Sequence, residues 1–160
     1  MKQRAFTLME LMIVIVIIGI LSAVGMVMFG GQSEKAKIAV AKTNHKAMIK
    51  ILTFEMMKCA TGDEKIFDGK LYCSSLTGAT LDGYAQYAYM KAGFKNPYDP
   101  NARYPSRSSA PWYFGPWTDA DVGYVNHNTL YQSKDLYIQT CVKIPCTDSK
   151  NILSNTLTPE

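Results

Sequence analysis

The N-terminal part of the chain contains a long run of apolar residues. No charged residue lies between Glu10 and Glu34, and the stretch from Leu11 to Phe29 is almost wholly aliphatic. In an α-helix these 23 uncharged positions would span roughly 35 Å, enough to cross a hydrocarbon layer of about 30 Å. Lys2 and Arg4 precede the run, so the positive-inside tendency places the N-terminus in the cytoplasm. The pattern predicts one membrane-spanning helix.

The helical pattern continues beyond this run. Residues 33–58 contain neither proline nor glycine, and seven apolar residues share one broad arc of the helix: Ala36, Val40, Ala47, Met48, Ile51, Leu52 and Phe54. Four lysines fall on the opposite side: Lys35, Lys42, Lys46 and Lys50. The spacing predicts a single helix of about 80 Å, with a transmembrane half over residues 6–29 and an amphipathic half over residues 30–59.

The composition changes after Cys59. Residues 60–83 are rich in Gly, Asp, Ser and Thr and predict a loop, whereas residues 84–94 fit either a short helix or a strand. Strand-like runs follow at residues 112–117, at 122–125 and from Leu136, and the segment "NHNTLYQSKD" before the last run contains turn residues. We therefore predict an antiparallel sheet over about residues 84–146, then a C-terminal tail. The fold class is α+β, with the long helix packed on a small antiparallel sheet in a globular head of residues 60–160.

Four cysteines lie in the exported part of the chain: Cys59, Cys73, Cys141 and Cys146. An even number in an oxidising compartment favours disulfides. Of the three possible pairings we favour the two local ones, Cys59 with Cys73 and Cys141 with Cys146. Zinc is the alternative, but no C-x-x-C and no suitable histidine spacing supports it.

Glu10 lies at the start of the apolar run, where a charge is unfavourable. A charged side chain at the centre of a membrane helix costs about 2.5–3.5 kcal/mol on insertion scales and usually has a partner. The span offers no basic residue. The candidate partners are Lys2 and Arg4 at the interface, or an α-amino group created by cleavage just upstream.

The stretch "AFTLMELMIVIVIIGILSAV" resembles the N-terminus of type IV pilins and the related pseudopilins. The resemblance implies a leader of residues 1–5, cut between Ala5 and Phe6 by a peptidase at the cytoplasmic face, and methylation of the new Phe6 amine. The family's glutamate falls on Glu10, and Thr7 also matches its pattern. The resemblance covers about twenty residues and implies little about the head beyond its architecture.

The resemblance also implies a role for Glu10 in assembly, together with Phe6 and Thr7. In the membrane pool Glu10 is expected to be unpaired or protonated, and in the filament it meets the Phe6 amine of a neighbouring subunit. Such a pair would fix the axial register between otherwise featureless apolar helices, as a buried polar residue fixes the register of a coiled coil. Because desolvation is costly, removing one partner should be worse than lacking both.

The chain departs from the family pattern at two positions. Ala5 stands where family leaders end in glycine, which predicts slower leader cleavage. Val27 stands where the family commonly has proline. Since glycine costs about 1 kcal/mol relative to alanine inside a helix, we expect helix flexibility at Gly19 and Gly25 rather than at Val27.

These features predict a pilin, a structural subunit of a type IV pilus (fimbrium) that serves cell adhesion, twitching motility or DNA uptake. The precursor is expected in the bacterial inner membrane and the assembled filament on the cell surface. The implied partners are further copies in a helical homopolymer, a prepilin peptidase and methyltransferase, and an inner-membrane assembly platform. The alternatives are a pseudopilin of a type II secretion or competence system, and a membrane-anchored DNA-binding minor pilin.

Other candidate chemistry is weaker. No enzyme motif is present, so we expect neither catalysis nor a cofactor. His45 is interpreted as a solvated or packed residue and His127 as part of a turn. Asp119 and Asp121, with the distant Asp99, could ligate calcium, but turn formation explains them better. The lysines of the helix are a weak candidate for contact with DNA phosphates. A better surface for DNA or another ligand combines four residues: Arg103, Arg107, Trp112 and Trp117. The core of a small sheet would use the same aromatic residues.

Overall fold

The structure is a computed structural model that describes residues 7–102, 106–108, 117–129 and 134–159. For residues 27–30 and 106–108 it describes the backbone alone. The chain divides into two units, one ending at Ala36 and the other beginning at Lys37. In its described part the first unit is helical from Leu8 onward, and the second unit contains the rest of the same helix and the head.

Helix α1 runs from Leu8 to Ala60, as the long helical pattern predicts. Within the second unit it buries one face, formed by Ala41, Met48 and Leu52 together with the polar residues Asn44 and His45. Relative to Ala41 these positions lie at i+3, i+4, i+7 and i+11, and they therefore share a face.

The predicted apolar arc of α1 is correct in part. It includes the buried Met48 and Leu52, but Val40 is 44% exposed and Phe54 is 61% exposed. The buried face is rotated toward Asn44 and His45 because polar groups of the head supply hydrogen-bond partners for both side chains, as described below.

A short hairpin follows α1. Its strands, β1 (Lys65–Ile66) and β2 (Leu71–Tyr72), pair antiparallel. The intervening Phe67 and Asp68 have positive φ angles of 51° and 57°, a conformation that residues with a Cβ rarely adopt. Glu55 Oε2 accepts a hydrogen bond from the Phe67 backbone N–H at 2.8 Å, and the Phe67 ring stacks on Tyr84 with centroids 5.2 Å apart. These contacts stabilise the turn.

Helix α2 spans Gly78–Lys91. It begins inside the predicted loop of residues 60–83, and over residues 84–91 it is the helix of the two alternatives left open there. Thr77 and Thr80 form a capping box that starts the helix. The buried residues Leu81, Ala85 and Ala88 recur at intervals of three and four and pack into the core. Glycine, threonine and aspartate in "GATLDG" obscured this pattern, because they are poor helix formers individually and only the cap and the core contact select the helix.

The head contains a four-stranded sheet in the order β3-β4-β5-β6. Strand β3 is Ser106–Ser108, β4 is Val125–Asn128, β5 is Leu136–Cys141 and β6 is Ile152–Leu157. Strands β4, β5 and β6 pair antiparallel, and β3 pairs parallel with β4. The α+β class and the long helix with a small sheet are confirmed.

Two segments of this sheet differ from the sequence prediction. Residues 126–128, predicted as a turn, belong to β4, and β6 lies in the predicted C-terminal tail. Both segments have unremarkable strand propensity. They become strands because β5 pairs with a neighbour on each side, and such context outweighs intrinsic preference in sheets.

Two buried polar residues connect α1 to the rest of the head. His45 is 2% exposed; its Nδ1 lies 2.9 Å from Thr140 Oγ1 in β5, and its Nε2 lies 2.9 Å from Asn155 Oδ1 in β6. Since an amide oxygen only accepts, Nε2 carries the proton and Nδ1 accepts from the threonine hydroxyl. Asn44 Nδ2 donates to the Lys95 carbonyl at 2.9 Å. Of the two interpretations of His45, solvated or packed, the structure shows the packed one.

Burial makes the stability of the head depend on pH through His45. Its pKa is lowered from the ordinary value, first by desolvation and against a smaller opposing effect of Asn155. Below pH 6.5 the unfolded chain therefore binds a proton that the folded chain does not. The free energy of unfolding decreases as the pH is lowered from this value, until the pH reaches the lowered pKa of the folded state. We expect the stability advantage of the natural chain over His45→Gln to shrink by up to about 1.4 kcal/mol per pH unit in this window.

The measurement is chemical unfolding of the full chain in detergent micelles, followed by near-ultraviolet circular dichroism from pH 7.5 to pH 5. His45→Gln is its own control, because every other titrating group is unchanged. An advantage that stays constant or grows as the pH falls would contradict the assignment of the neutral ring.

Both local disulfides are present. Cys59 at the end of α1 is joined to Cys73, 14 residues later, and Cys141 at the end of β5 is joined to Cys146, five residues later. The first bond closes the hairpin segment against α1, and the second closes a short loop between β5 and β6. The described part of the chain contains no free cysteine.

The two disulfides should differ in their effect on stability. In the chain-entropy model the 14-residue closure contributes about 3 kcal/mol and the five-residue closure about 2 kcal/mol. We therefore expect the double variant Cys59→Ser and Cys73→Ser to lower the unfolding free energy of the head more than Cys141→Ser with Cys146→Ser. Chemical unfolding of both variants in micelles checks the order, and a reversed order would refute it.

Candidate assembly site

The site begins at the start of α1. The Glu10 backbone N–H donates to Thr7 Oγ1 at 3.3 Å, and Glu10 Oε2 accepts from both the backbone N–H and the hydroxyl of Thr7 at 2.9 Å. This reciprocal arrangement is a capping box, in which a threonine and a glutamate three residues apart satisfy the free donors of a helix N-terminus. The pattern T-x-x-E carries this signal in the sequence, but the sequence-based prediction did not include it.

The capping box gives Glu10 hydrogen bonds within its own chain but no charged partner. Its carboxylate has two donors from Thr7, and both bind the same oxygen, Oε2. In the part of the chain that the structure describes, Oε1 has no hydrogen-bond partner. The arrangement therefore satisfies one carboxylate oxygen within the chain and leaves the other open to an external donor.

An all-round apolar surface follows the capping box. From Leu8 to Met26 every large apolar side chain is at least 45% exposed, and Leu8 reaches 80%. The Ser22 hydroxyl donates to the Ile18 carbonyl at 2.7 Å, so this polar group is satisfied inside the helix. By length and composition α1 can cross a membrane. A surface of this kind is stable in lipid or against other apolar helices, and unfavourable in water.

The predicted residues around this surface are placed as follows. Ala5 and Phe6, the expected cleavage and methylation positions, lie outside the described residues. Gly19 and Gly25 lie within the continuous helix α1, and a Cβ at either would meet no atom within 4 Å. The backbone is helical at Val27 as well. Flexibility at the two glycines stays a prediction.

The aspartates considered as calcium ligands have roles in the fold of the head. Asp121 caps the short turn of residues 119–121 by accepting from the Thr118 backbone N–H. Asp119 Oδ1 accepts from the Cys146 backbone N–H at 2.8 Å, and Asp99 accepts from the Tyr124 hydroxyl at 3.1 Å. Among the described residues no group of three or more His, Cys, Asp or Glu side chains is placed to hold a metal ion.

His127 is a fully buried strand residue, whereas the sequence suggested a turn. Its Nδ1 lies 2.7 Å from Asp82 Oδ1, which joins β4 to α2. Its Nε2 is buried without a hydrogen-bond partner among the described residues. Turn propensity failed here because the pairing of β4 with β5 and the Asp82 contact together favour the strand.

The proposed binding surface around the tryptophans is described only in part. Arg103 and Trp112 lie outside the described residues, and Arg107 lies in β3, where the backbone alone is described. Trp117 is partly exposed and precedes the turn of residues 119–121. The grouping of these four residues stays a prediction.

Comparison with known proteins agrees with the N-terminal features. The family model of the prokaryotic N-terminal methylation motif matches residues 1–26. The chain is similar to type II secretion system core protein G of Pseudomonas aeruginosa, with 30% identity over 114 residues that cover 61% of this chain and 80% of that protein. No solved structure matches the chain.

Proposed function

The chain belongs to the family of type IV pilins and pseudopilins, and we propose that it is a structural subunit that polymerises through α1 into a thin filament. The observation that carries this proposal is the all-round apolar surface from Leu8 to Met26, with one carboxylate, Glu10, at its start. Members of this family are structural subunits rather than enzymes. A membrane-held precursor agrees with the length and composition of α1.

Apolar burial supplies the cohesion of the proposed filament. Removing apolar surface from water contributes about 25 cal/mol per Å², but the same side chains are already covered by lipid in the precursor. The gain on leaving the membrane therefore comes from close helix packing and from polar contacts that lipid cannot make. Glu10 is therefore the residue whose polar contacts are expected to differ most between the precursor in lipid and the subunit in the filament.

The capping box suggests how Glu10 takes part in filament assembly. After cleavage between Ala5 and Phe6, each subunit would begin with an α-ammonium group, methylated on Phe6. We infer that the ammonium of a neighbouring subunit binds Glu10 Oε1, while Oε2 keeps its two hydrogen bonds from Thr7. The carboxylate would then join two chains without unwinding the first turn of α1, and its position would set the axial register of the helices.

The surface pilus is our first candidate for the filament. The two disulfides of the head, at Cys59–Cys73 and Cys141–Cys146, brace it against unfolding outside the cell. The precursor would lie in the inner membrane with its N-terminus in the cytoplasm, be processed there by a prepilin peptidase and methyltransferase, and be extracted by an assembly platform. Adhesion, twitching motility and DNA uptake are the uses proposed for the pilus.

A pseudopilin of a type II secretion system is the second candidate. The similarity to type II secretion system core protein G supports it, since this chain covers 80% of that protein. Such a filament would be short and would stay within the cell envelope.

One experiment tests the function and separates the two candidates. Cells are sheared, and the intact mass of the chain is measured in the released fibres and in the envelope fraction. A subunit of a surface pilus should appear in the sheared fraction beginning at Phe6, one methyl group heavier and, with both disulfides, four hydrogens lighter. The same processed mass confined to the envelope supports the pseudopilin. Assembled fibres of chains that still begin at Met1 would refute the proposed assembly.

A further inference from the structure

We propose that the second unit binds one neutral sugar ring, a pyranose residue of a glycan, in a cavity beside the hairpin turn. The cavity has a volume of about 270 Å³ and lies where the last turns of α1, the turn between β1 and β2, and the end of α2 meet. Pockets for drug-sized ligands measure about 300–1,000 Å³, so this cavity suits a single ring rather than a longer ligand. The inference goes beyond the filament and does not depend on it.

The cavity offers a free acceptor beside a free donor. Its polar side chains are Glu55, Asp68, Tyr87 and Lys91. Asp68 Oδ2 accepts hydrogen bonds from the Tyr87 hydroxyl at 2.9 Å and from the Lys91 ammonium. In the part of the chain that the structure describes, Asp68 Oδ1 has no hydrogen-bond partner, and the ammonium uses one of its three donors. Sugar hydroxyls fit this pair, because a hydroxyl both donates and accepts.

The charges around the cavity are balanced, which favours a neutral ligand. Lys91 pairs with Asp68, and Lys58 pairs with Glu55 at 2.6 Å. The hydrogen bonds from Lys91 and Tyr87 hold the pKa of Asp68 below its usual value, and the bond to Asp68 raises the pKa of Lys91. Both groups are therefore charged at neutral pH. An ionic ligand would break one of these pairs or leave its own charge unpaired, whereas hydroxyl groups do neither.

Apolar side chains form the rest of the cavity lining. They are Ile51, Phe67, Ala88 and Ala92. A pyranose ring carries C–H groups on its faces and hydroxyls around its rim. It can therefore cover the apolar lining with a face while its hydroxyls reach Asp68, the combination of apolar walls and few placed polar groups that is typical of ligand sites.

Backbone strain in the turn is an independent argument for a binding site. Phe67 and Asp68 have φ angles of 51° and 57°, a region that residues other than glycine rarely occupy. Glu55 holds the turn by accepting from the Phe67 backbone N–H, and Tyr87 holds it by donating to Asp68. Strained residues that surrounding contacts hold in place cluster at ligand sites. The fixed turn orients Asp68 before the ligand arrives, which lowers the ordering cost of binding.

Nuclear magnetic resonance titration of the full chain tests the site. The ¹⁵N-labelled chain is prepared in dodecylphosphocholine micelles, a detergent without a sugar head group. It is titrated with the methyl β-glycosides of glucose, galactose and N-acetylglucosamine. We expect saturable shifts of the amides of Phe67, Asp68 and Lys91 with at least one glycoside, and a dissociation constant on the order of 1 mM for a ligand of this size. Preference for the N-acetyl sugar would indicate a cell-wall glycan, and preference for a hexose would indicate a surface polysaccharide.

Two matched variants locate the binding. Asp68→Asn keeps a residue that tolerates a positive φ but removes the charge that Lys91 and the sugar hydroxyl share. Hydrogen bonds to ionised groups are roughly twice as strong as neutral ones, so this variant should bind about tenfold more weakly. Asp63→Asn removes the same charge from an exposed position that does not line the cavity, and it should bind like the natural chain.

Three outcomes would overturn the proposal. The absence of saturable shifts with all three glycosides would exclude a sugar site. Tighter binding of methyl glucosaminide or methyl glucuronide, which carry a positive and a negative charge, would contradict the preference for a neutral ligand. Equal affinities of Asp68→Asn and Asp63→Asn would show that any bound sugar lies elsewhere. The proposed filament subunit would stand in each case, because none of these measurements involves assembly.

Discussion

Glu10→Ala should leave the chain inserted in the membrane and reduce sheared filaments more than tenfold. In the filament the carboxylate is expected to pair with the Phe6 ammonium of a neighbouring subunit. Removing one partner of a buried ion pair typically costs about 3–5 kcal/mol, because the remaining charge stays desolvated and unpaired. That cost recurs at every subunit added, so a modest loss per contact becomes a large loss of polymer. The measurement is the amount of chain in the sheared fraction relative to the alkali-resistant membrane fraction.

Two further variants distinguish the effect of the Glu10 charge on assembly from the effect of the helix cap. Glu10→Gln keeps a side chain that can accept from Thr7 but removes the charge, and it should lose filaments nearly as fully as Glu10→Ala. Thr7→Val removes the hydroxyl contacts of the capping box, a loss of about 1 kcal/mol to the helix start, and should leave assembly close to normal. Normal filaments from Glu10→Gln would show that charge pairing is not what orders the helices.

Gly123→Ala should lower the unfolding free energy of the head by about 4 kcal/mol. Gly123 has a φ of +78°, and a Cβ there would overlap Asn96 Oδ1 and come within 2.8 Å of Tyr98 Cδ2. Asn96 cannot move aside, because it is 1% exposed and its amide donates to the Val122 carbonyl while its oxygen accepts from the Tyr98 backbone N–H. The expected loss combines backbone strain of about 1–3 kcal/mol with a comparable cost of overpacking. Chemical unfolding of the full chain in micelles measures it.

Gly69→Ala is the matched control for this prediction. Gly69 has the same φ of +78°, but a Cβ there meets nothing within 4 Å. Its variant should therefore show the cost of the backbone conformation alone, about 1–2 kcal/mol. Equal losses for Gly69→Ala and Gly123→Ala would mean that the packing of Asn96 and Tyr98 against Gly123 contributes nothing.

The candidate site was largely predictable because its features are local in the chain. The apolar run, the position of Glu10 and the family resemblance all lie within about twenty residues. The capping box is equally local, since Thr7 and Glu10 are three positions apart. The sequence-based prediction did not include this contact, although the T-x-x-E pattern contains it.

The head was less predictable because its elements depend on contacts between distant residues. Sequence patterns indicated the α+β class and favoured the two short-range disulfide pairings, whose partners are 14 and five residues apart. They left residues 84–94 open between a helix and a strand, missed the start of helix α2 in the predicted loop, and did not indicate strand β4 over "NHN" or strand β6. Each of these segments has weak intrinsic preference, and each is selected by a partner far away in the chain.

The sequence by itself determined the long helix, the apolar anchor with its one carboxylate and the class of the head. A run of some twenty aliphatic residues has few stable states, since only lipid or other apolar helices can cover it. The tertiary structure alone decided which face of α1 is buried. His45 occupies a core position because Thr140 and Asn155, about a hundred residues away, offer it two hydrogen bonds. Hydrophobic periodicity along one helix carries no information about such partners. The pattern therefore placed Phe54 on the packed arc of α1, whereas its side chain is 61% exposed.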